Sequence, residues 1–63
     1  MWVEIDRALF KTMQNHGYID LPEKVEAGEF AHKSYYFTLG CRWLVINNYV
    51  SAVTQYYIED INA

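Results

Sequence analysis

The sequence predicts an α+β fold: an N-terminal amphipathic helix, a short link, and a three-stranded antiparallel β-meander. Three observations carry that prediction. Trp2, Ile5, Leu9 and Met13 recur at spacings of three, four and four, which places them on one helical face. From Ser34 the chain becomes rich in β-branched and aromatic residues, the composition of strands. Gly40-Cys41 and Asn47-Asn48 then divide that stretch at two points suited to tight hairpin turns.

The helix is expected over residues 2–16, with Phe10 widening its apolar stripe. Glu4 and Asp6 fall early and Lys11 later, which suits the helix dipole. Gly17 fits a left-handed C′ position, with Tyr18 packing back on Met13. A competing reading makes Met1–Ile5 a strand and Asp6 an N-cap, so that the helix starts later. Residues 19–33 admit two readings. Asp20-Leu21-Pro22-Glu23 resembles a capping box with proline in the first turn, which starts a short helix that Gly28 ends. The thin apolar pattern of Leu21, Val25, Ala27 and Phe30 fits an irregular loop as well.

The three expected strands are Ser34–Leu39, Cys41–Ile46 and Tyr49–Ile58. Val50, Val53, Tyr57 and Ile61 also match helical spacing, but the adjacent tyrosines and β-branched residues favour a strand. The two turns set a register. Thr38 then faces Trp43, Tyr36 faces Val45 and Phe37 faces Leu44, while Ile46 faces Tyr49, Val45 faces Val50 and Trp43 faces Ala52. One face of the sheet carries Tyr36, Trp43, Val45, Val50, Ala52, Tyr56 and Ile58. The other carries Tyr35, Phe37, Leu39, Leu44, Ile46, Tyr49, Val53 and Tyr57. Both are apolar, and one helix covers one face only. The second set is therefore the candidate interface.

Length and composition bound the function. At 63 residues the chain is expected to form one small domain, 1–63. A chain of this size buries only about 60% of its unfolded surface and commonly needs a disulfide, a metal or a partner. Cys41 is the only cysteine, so no internal disulfide forms. With His16 and His32 it lacks the paired spacing of a zinc site. Neither a metal nor a cofactor is expected. Eleven aromatic residues exceed what one small core easily encloses, which points to self-association.

Charge is uneven. The net charge is −3, residues 1–33 hold ten of the thirteen charged side chains, and Arg42 is the only one between 34 and 58. A phosphate-binding protein normally shows a basic patch. Tyr35-Tyr36-Phe37 superficially resembles an RNA-recognition strand but lacks its flanking basic and glycine residues. Direct nucleic-acid binding is thereby disfavoured and stays as a third reading. No apolar run spans a membrane, and the start lacks the pattern of a signal peptide. The expected compartment is cytoplasmic.

Catalysis finds little footing. His16 at a helix C-terminus suits a capping role, His32 has no carboxylate at a fixed spacing, and Cys41 has no nucleophile signature around it. The reading is thus a non-enzymatic protein–protein interaction module, expected to be a homo-oligomer. The main alternative starts from Asp20, Glu23, Glu26 and Glu29, four acids in ten residues. They suggest an acidic inhibitor, of the kind phages and mobile elements carry, that occludes the nucleic-acid site of a larger enzyme.

Overall fold

The computed structural model describes residues 1–38 and 40–59. It is α+β, with one short helix and a five-stranded antiparallel sheet, two strands more than the sequence predicts. Strand β1 (Trp2–Ile5) leads into helix α1 (Arg7–Asn15). Then come β2 (Lys24–Ala27), β3 (Ala31–Thr38), β4 (Cys41–Asn48) and β5 (Thr54–Glu59). The strand order is β1-β5-β4-β3-β2. The first two strands therefore form opposite edges, and the connection through α1 crosses one face between them.

The helix expected over residues 2–16 is corrected to the shorter of the two readings. Trp2 and Ile5 have helical spacing relative to Leu9 and Met13, but β1 pairs with β5, with Trp2 opposite Glu59 and Ile5 opposite Tyr56. Strand alternation then sends Trp2 and Ile5 to opposite faces of the sheet. Asp6 holds the N-cap position with an extended backbone, although its side chain makes no capping bond. Its carbonyl accepts from Leu9 and Phe10 N–H instead.

The helix ends as expected. Gly17 has φ +82°, its N–H donates to the Gln14 carbonyl, and Tyr18 N–H donates to that of Met13. These are the two bonds of a Schellman motif.

Phe10, 2% exposed, is the centre of the buried stripe, whereas Leu9 is 46% exposed. Phe10 sits among three aromatic rings of the sheet, with centroids 5.0 Å from Tyr56, 5.5 Å from Tyr36 and 6.2 Å from Trp43. Ile19 and Val45 complete this cluster, and Ile5, Met13, Cys41 and Ile58 pack against it. The Trp43 indole N–H donates to Thr38 Oγ1 at 3.1 Å, so its polar edge is satisfied within the core.

Residues 19–33 do not contain the short helix of the capping-box reading. Glu23 N–H donates to the Tyr35 carbonyl at 2.7 Å, and Lys24–Ala27 continue as strand β2 against β3. All four β2 residues are exposed, so burial left no alternating signature in the sequence. Gly28 turns the hairpin rather than ending a helix; its N–H donates to the Ala31 carbonyl at 2.9 Å.

Both predicted turns move. Thr38 pairs with Cys41, so Cys41 belongs to β4 and not to the turn, and Gly40 takes φ +69°. Asn47 and Asn48 lie within β4, and the connection to β5 is residues 49–53. Asn48 Oδ1 accepts from Val50 and Ser51 N–H at 2.9 and 3.0 Å, so asparagine shapes the loop from the strand end. The register shifts accordingly. Tyr36 faces Trp43, Phe37 faces Arg42 and Tyr35 faces Leu44, while Trp43 faces Ile58 and Val45 faces Tyr56. The shifts are of two and six residues, both even, so strand residues keep their expected faces.

Candidate interaction surface

Two faces of the sheet now differ in kind. Tyr36, Trp43, Val45, Tyr56 and Ile58 lie under α1. Strand alternation puts Tyr35, Phe37, Leu44, Ile46 and Tyr57 on the other face, which no helix covers. Of the remaining candidate interface residues, Tyr49 and Val53 leave the sheet for the 49–53 loop, as do Val50 and Ala52. Leu39 lies outside the described residues.

The open face is organised around Tyr35. Trp2 from β1 reaches across it, with ring centroids 6.2 Å apart and planes tilted by 54°. Lys24 Nζ stands 5.8 Å from the centroid of the Tyr35 ring, within cation–π range. Hydrogen bonding to Glu26, then desolvation, then the Glu26 charge raise the Tyr35 hydroxyl's pKa above its ordinary value. Lys24 also meets Glu26 at 3.9 Å, an exposed pair that adds little stability by itself.

Leu44 lies between Tyr35 and Tyr57 on adjacent strands. It is only 6% exposed despite being on the open face. Its direct cross-strand neighbours on that face are both tyrosines. Beside them a cleft of about 440 Å³ is lined by Trp2, Glu23, Lys24, Tyr35, Arg42 and Glu59. Phe37, at the margin, remains 55% exposed.

The face is more charged than the sequence analysis expects, because β1 and β2 belong to the same sheet. Their alternation adds Glu4, Lys24 and Glu26 to Lys33, Arg42 and Glu59. Three bases balance three acids. Glu4 and Glu59 lie on the β1–β5 side, Arg42 on the central strand, and Lys24 and Lys33 on the β3–β2 side together with the third acid, Glu26. Gln55 Nε2 donates to Glu4 Oε2 at 3.3 Å, which helps hold that carboxylate over the face.

The four candidate acidic contact residues do not share a surface element. Asp20 and Glu23 precede β2, Glu26 lies on the open face, and Glu29 is in the β2–β3 turn. A helix face carrying all four is therefore absent.

Two further features lie elsewhere. A cavity of about 600 Å³ under the end of α1 is lined by Met13, Gly17, Tyr18, Thr38, Cys41, Trp43 and Ile58. Its Cys41 thiol is pushed up in pKa by desolvation and then by the Glu59 charge, the opposite of what activates a cysteine nucleophile. His32 pairs with Asn47 at the far end of the β3–β4 hairpin from Cys41. Six residue steps along β3 separate it from Thr38, roughly 20 Å, so His32 and Cys41 form no dyad. Among the described residues no three His, Cys, Asp or Glu side chains cluster as a metal site. None of their helices is long and apolar enough to cross a membrane.

At the opposite end, Tyr49 N–H donates to the Phe30 carbonyl at 2.8 Å. That bond brings the two loops together, and Phe30, Tyr49, Val50 and Val53 are all exposed there.

Trp2 is the member of the open face that the sequence analysis misses, having assigned it to a helix. The alternation Trp2-Val3-Glu4-Ile5 is the signal that places it in a strand. No protein-family profile matches this chain, nor does any curated protein or solved structure.

Proposed function

We propose that the protein is a non-enzymatic protein–protein interaction module that self-associates through its uncovered sheet face. The observation that carries this reading is the exposure of Phe37 on a face that also carries Ile46, Tyr57 and the Trp2–Tyr35 pair and has no covering element. Aromatic residues in a shallow, partly charged setting are the usual anchors of protein interfaces. Burying their exposed area contributes about 25 cal/mol per Å², support that a domain of this size needs.

A second reading has one observation in its favour. Lys24, Lys33 and Arg42 share the face with Tyr35 and Phe37, an arrangement that could stack and track a single-stranded nucleic acid. Glu4, Glu26 and Glu59 cancel those charges, however, and a neutral face lacks the phosphate attraction that such binding requires.

Sedimentation over a range of micromolar concentrations tests the proposal. The wild type is expected to sediment as a dimer or larger species, and Phe37→Glu as a folded monomer, because Phe37 is exposed before assembly. A folded wild-type monomer throughout that range overturns self-association.

A further inference from the structure

The central cross-strand row of the open face ends in opposite charges, Glu4 on β1 and Lys24 on β2. We infer that two copies pack sheet against sheet about a two-fold axis parallel to β4, with Glu4 of each chain opposite Lys24 of the other. This inference rests on self-association through that face.

Three facts lead to it. Strand β4 is the middle of five, with β5 and β1 on one side and β3 and β2 on the other. Glu4 on β1 and Lys24 on β2 lie on one cross-strand row, Glu4–Tyr57–Leu44–Tyr35–Lys24, each neighbour set by the observed register. The two ends of that row carry opposite charges.

Face-to-face packing of two identical surfaces requires a two-fold axis lying in the plane of the interface. An axis along β4 folds the row onto itself about its centre. Glu4 then meets Lys24 of the other copy, Tyr57 meets Tyr35, and Leu44 lies on the axis. The same operation puts Gln55 opposite Lys33 and Glu59 opposite Phe37. Arg42 lies near the axis and approaches its own copy. Glu59 of each chain stands beside it in the cleft they both line, supplying a compensating carboxylate.

Rotating the axis by a right angle removes this match. An axis running across the strands returns each row end to its own kind, so that Glu4 meets Glu4 and Lys24 meets Lys24. Like charges placed opposite one another oppose association. The charge pattern therefore discriminates between two packings that apolar contact alone would treat alike. Aligned sheet packings of this kind allow the strands to cross at about 30°, a rotation that long Glu and Lys side chains accommodate.

Charge reversal tests the geometry. Glu4→Lys and Lys24→Glu are each compared with wild type by sedimentation equilibrium, with circular dichroism confirming the fold. Both residues are exposed, and Glu4→Gln and Lys24→Gln serve as controls that remove a charge without reversing it.

Each single reversal turns two attractive contacts into two repulsive ones, so the dimer constant is expected to weaken at least tenfold. An equimolar mixture of the two variants restores both attractions and is expected to form a heterodimer. The double variant, with the two charges exchanged, is expected to recover homodimerisation.

Dimers that resist both reversals, yet dissociate with Phe37→Glu, overturn the two-fold geometry while leaving self-association through the face intact. So does weakening by the single reversals without recovery in the mixture. A folded wild-type monomer overturns both readings. If that monomer retards a single-stranded oligonucleotide in a gel, the occupant of the face is nucleic acid.

Discussion

Trp2 and Tyr35 bring their ring centroids to 6.2 Å although strands β5 and β4 run between the strands that carry them. Three inter-strand steps span roughly 14 Å, so both side chains lean inward over the sheet. Leu44, paired with Tyr35 on the neighbouring strand, is buried on this face. The open face thus has a sealed centre and an exposed margin. Its margin is available to a partner, while its centre belongs to the stability of the monomer.

Trp2→Ala is expected to cost about 2 kcal/mol, less than the 3–5 kcal/mol of a fully buried aromatic because Trp2 is only half-buried. Urea titration measures this. Leu44→Ala is expected to be similarly costly, and the two losses should fall short of additive because both residues neighbour Tyr35. A Trp2→Ala protein as stable as wild type would show that Leu44 is sealed by other groups.

Phe10→Ala should be the most damaging change on the helix. It removes a ring held among Tyr36, Trp43 and Tyr56, at a cost of about 3–5 kcal/mol. For a domain of marginal stability that is enough to unfold the chain at room temperature. Leu9→Ala, one position away and largely exposed, should change stability by under about 1 kcal/mol. Circular dichroism during thermal melting separates the two outcomes.

Gly17→Ala isolates backbone strain from packing. No atom lies within 4 Å of a Cβ built at Gly17, but its φ is +82°. The expected loss is about 1 kcal/mol, from the left-handed conformation alone. At Gly28 the conditions are reversed: a Cβ would stand 3.1 Å from the Ala31 carbonyl oxygen. Denaturation midpoints of Gly17→Ala and Gly17→Asn check the strain account, with asparagine expected to lose less because it tolerates that region better.

Alkali should destabilise the fold. The Cys41 thiol and Tyr35 hydroxyl both have pKa values raised above their ordinary 9.0 and 10.0. Each group therefore holds its proton more tightly when folded. Its contribution is fully present below the ordinary value and is lost as pH rises through the raised one. Urea midpoints should be insensitive to these two groups near neutrality and fall above about pH 9. Cys41 should also react with iodoacetamide more slowly than a free thiol. Glu26→Gln should lower the Tyr35 hydroxyl toward its ordinary value in an ultraviolet titration.

The sheet faces were legible in the sequence because alternation has a period of two and survives any even error in register. Tyr35, Phe37, Leu44, Ile46 and Tyr57 stay together although neither turn was placed correctly. The helix C-terminus was legible because Gly17 has a single local conformational task. Strand β2 was not, since Lys24–Ala27 is wholly exposed and leaves no apolar pattern to read. Trp2 misled because the same four residues fit two periods, and the choice between them was made by β5, 51 positions away at the Glu4–Gln55 contact. The charge sorting on the open face depends on that same pairing. It becomes visible only once β1 and β2 are known to be the two edges.

That edge arrangement governs the order in which the fold can assemble. Strands β2 to β5 follow one another as neighbours and can zip as successive hairpins. Strand β1 must wait for β5, so it finds its partner only once residues 54–59 are in place. Until then neither the helix nor Trp2 has a finished sheet to pack on. Closing so distant a pairing is slow compared with local hairpin formation, and aromatic surface stays uncovered in the interval. Joining β5 to β1 through an engineered loop, with new termini opened at the exposed Asp20 and Leu21 between α1 and β2, would make every strand pairing in the sheet a local one. Such a permuted chain should fold faster than the natural order while reaching the same native state.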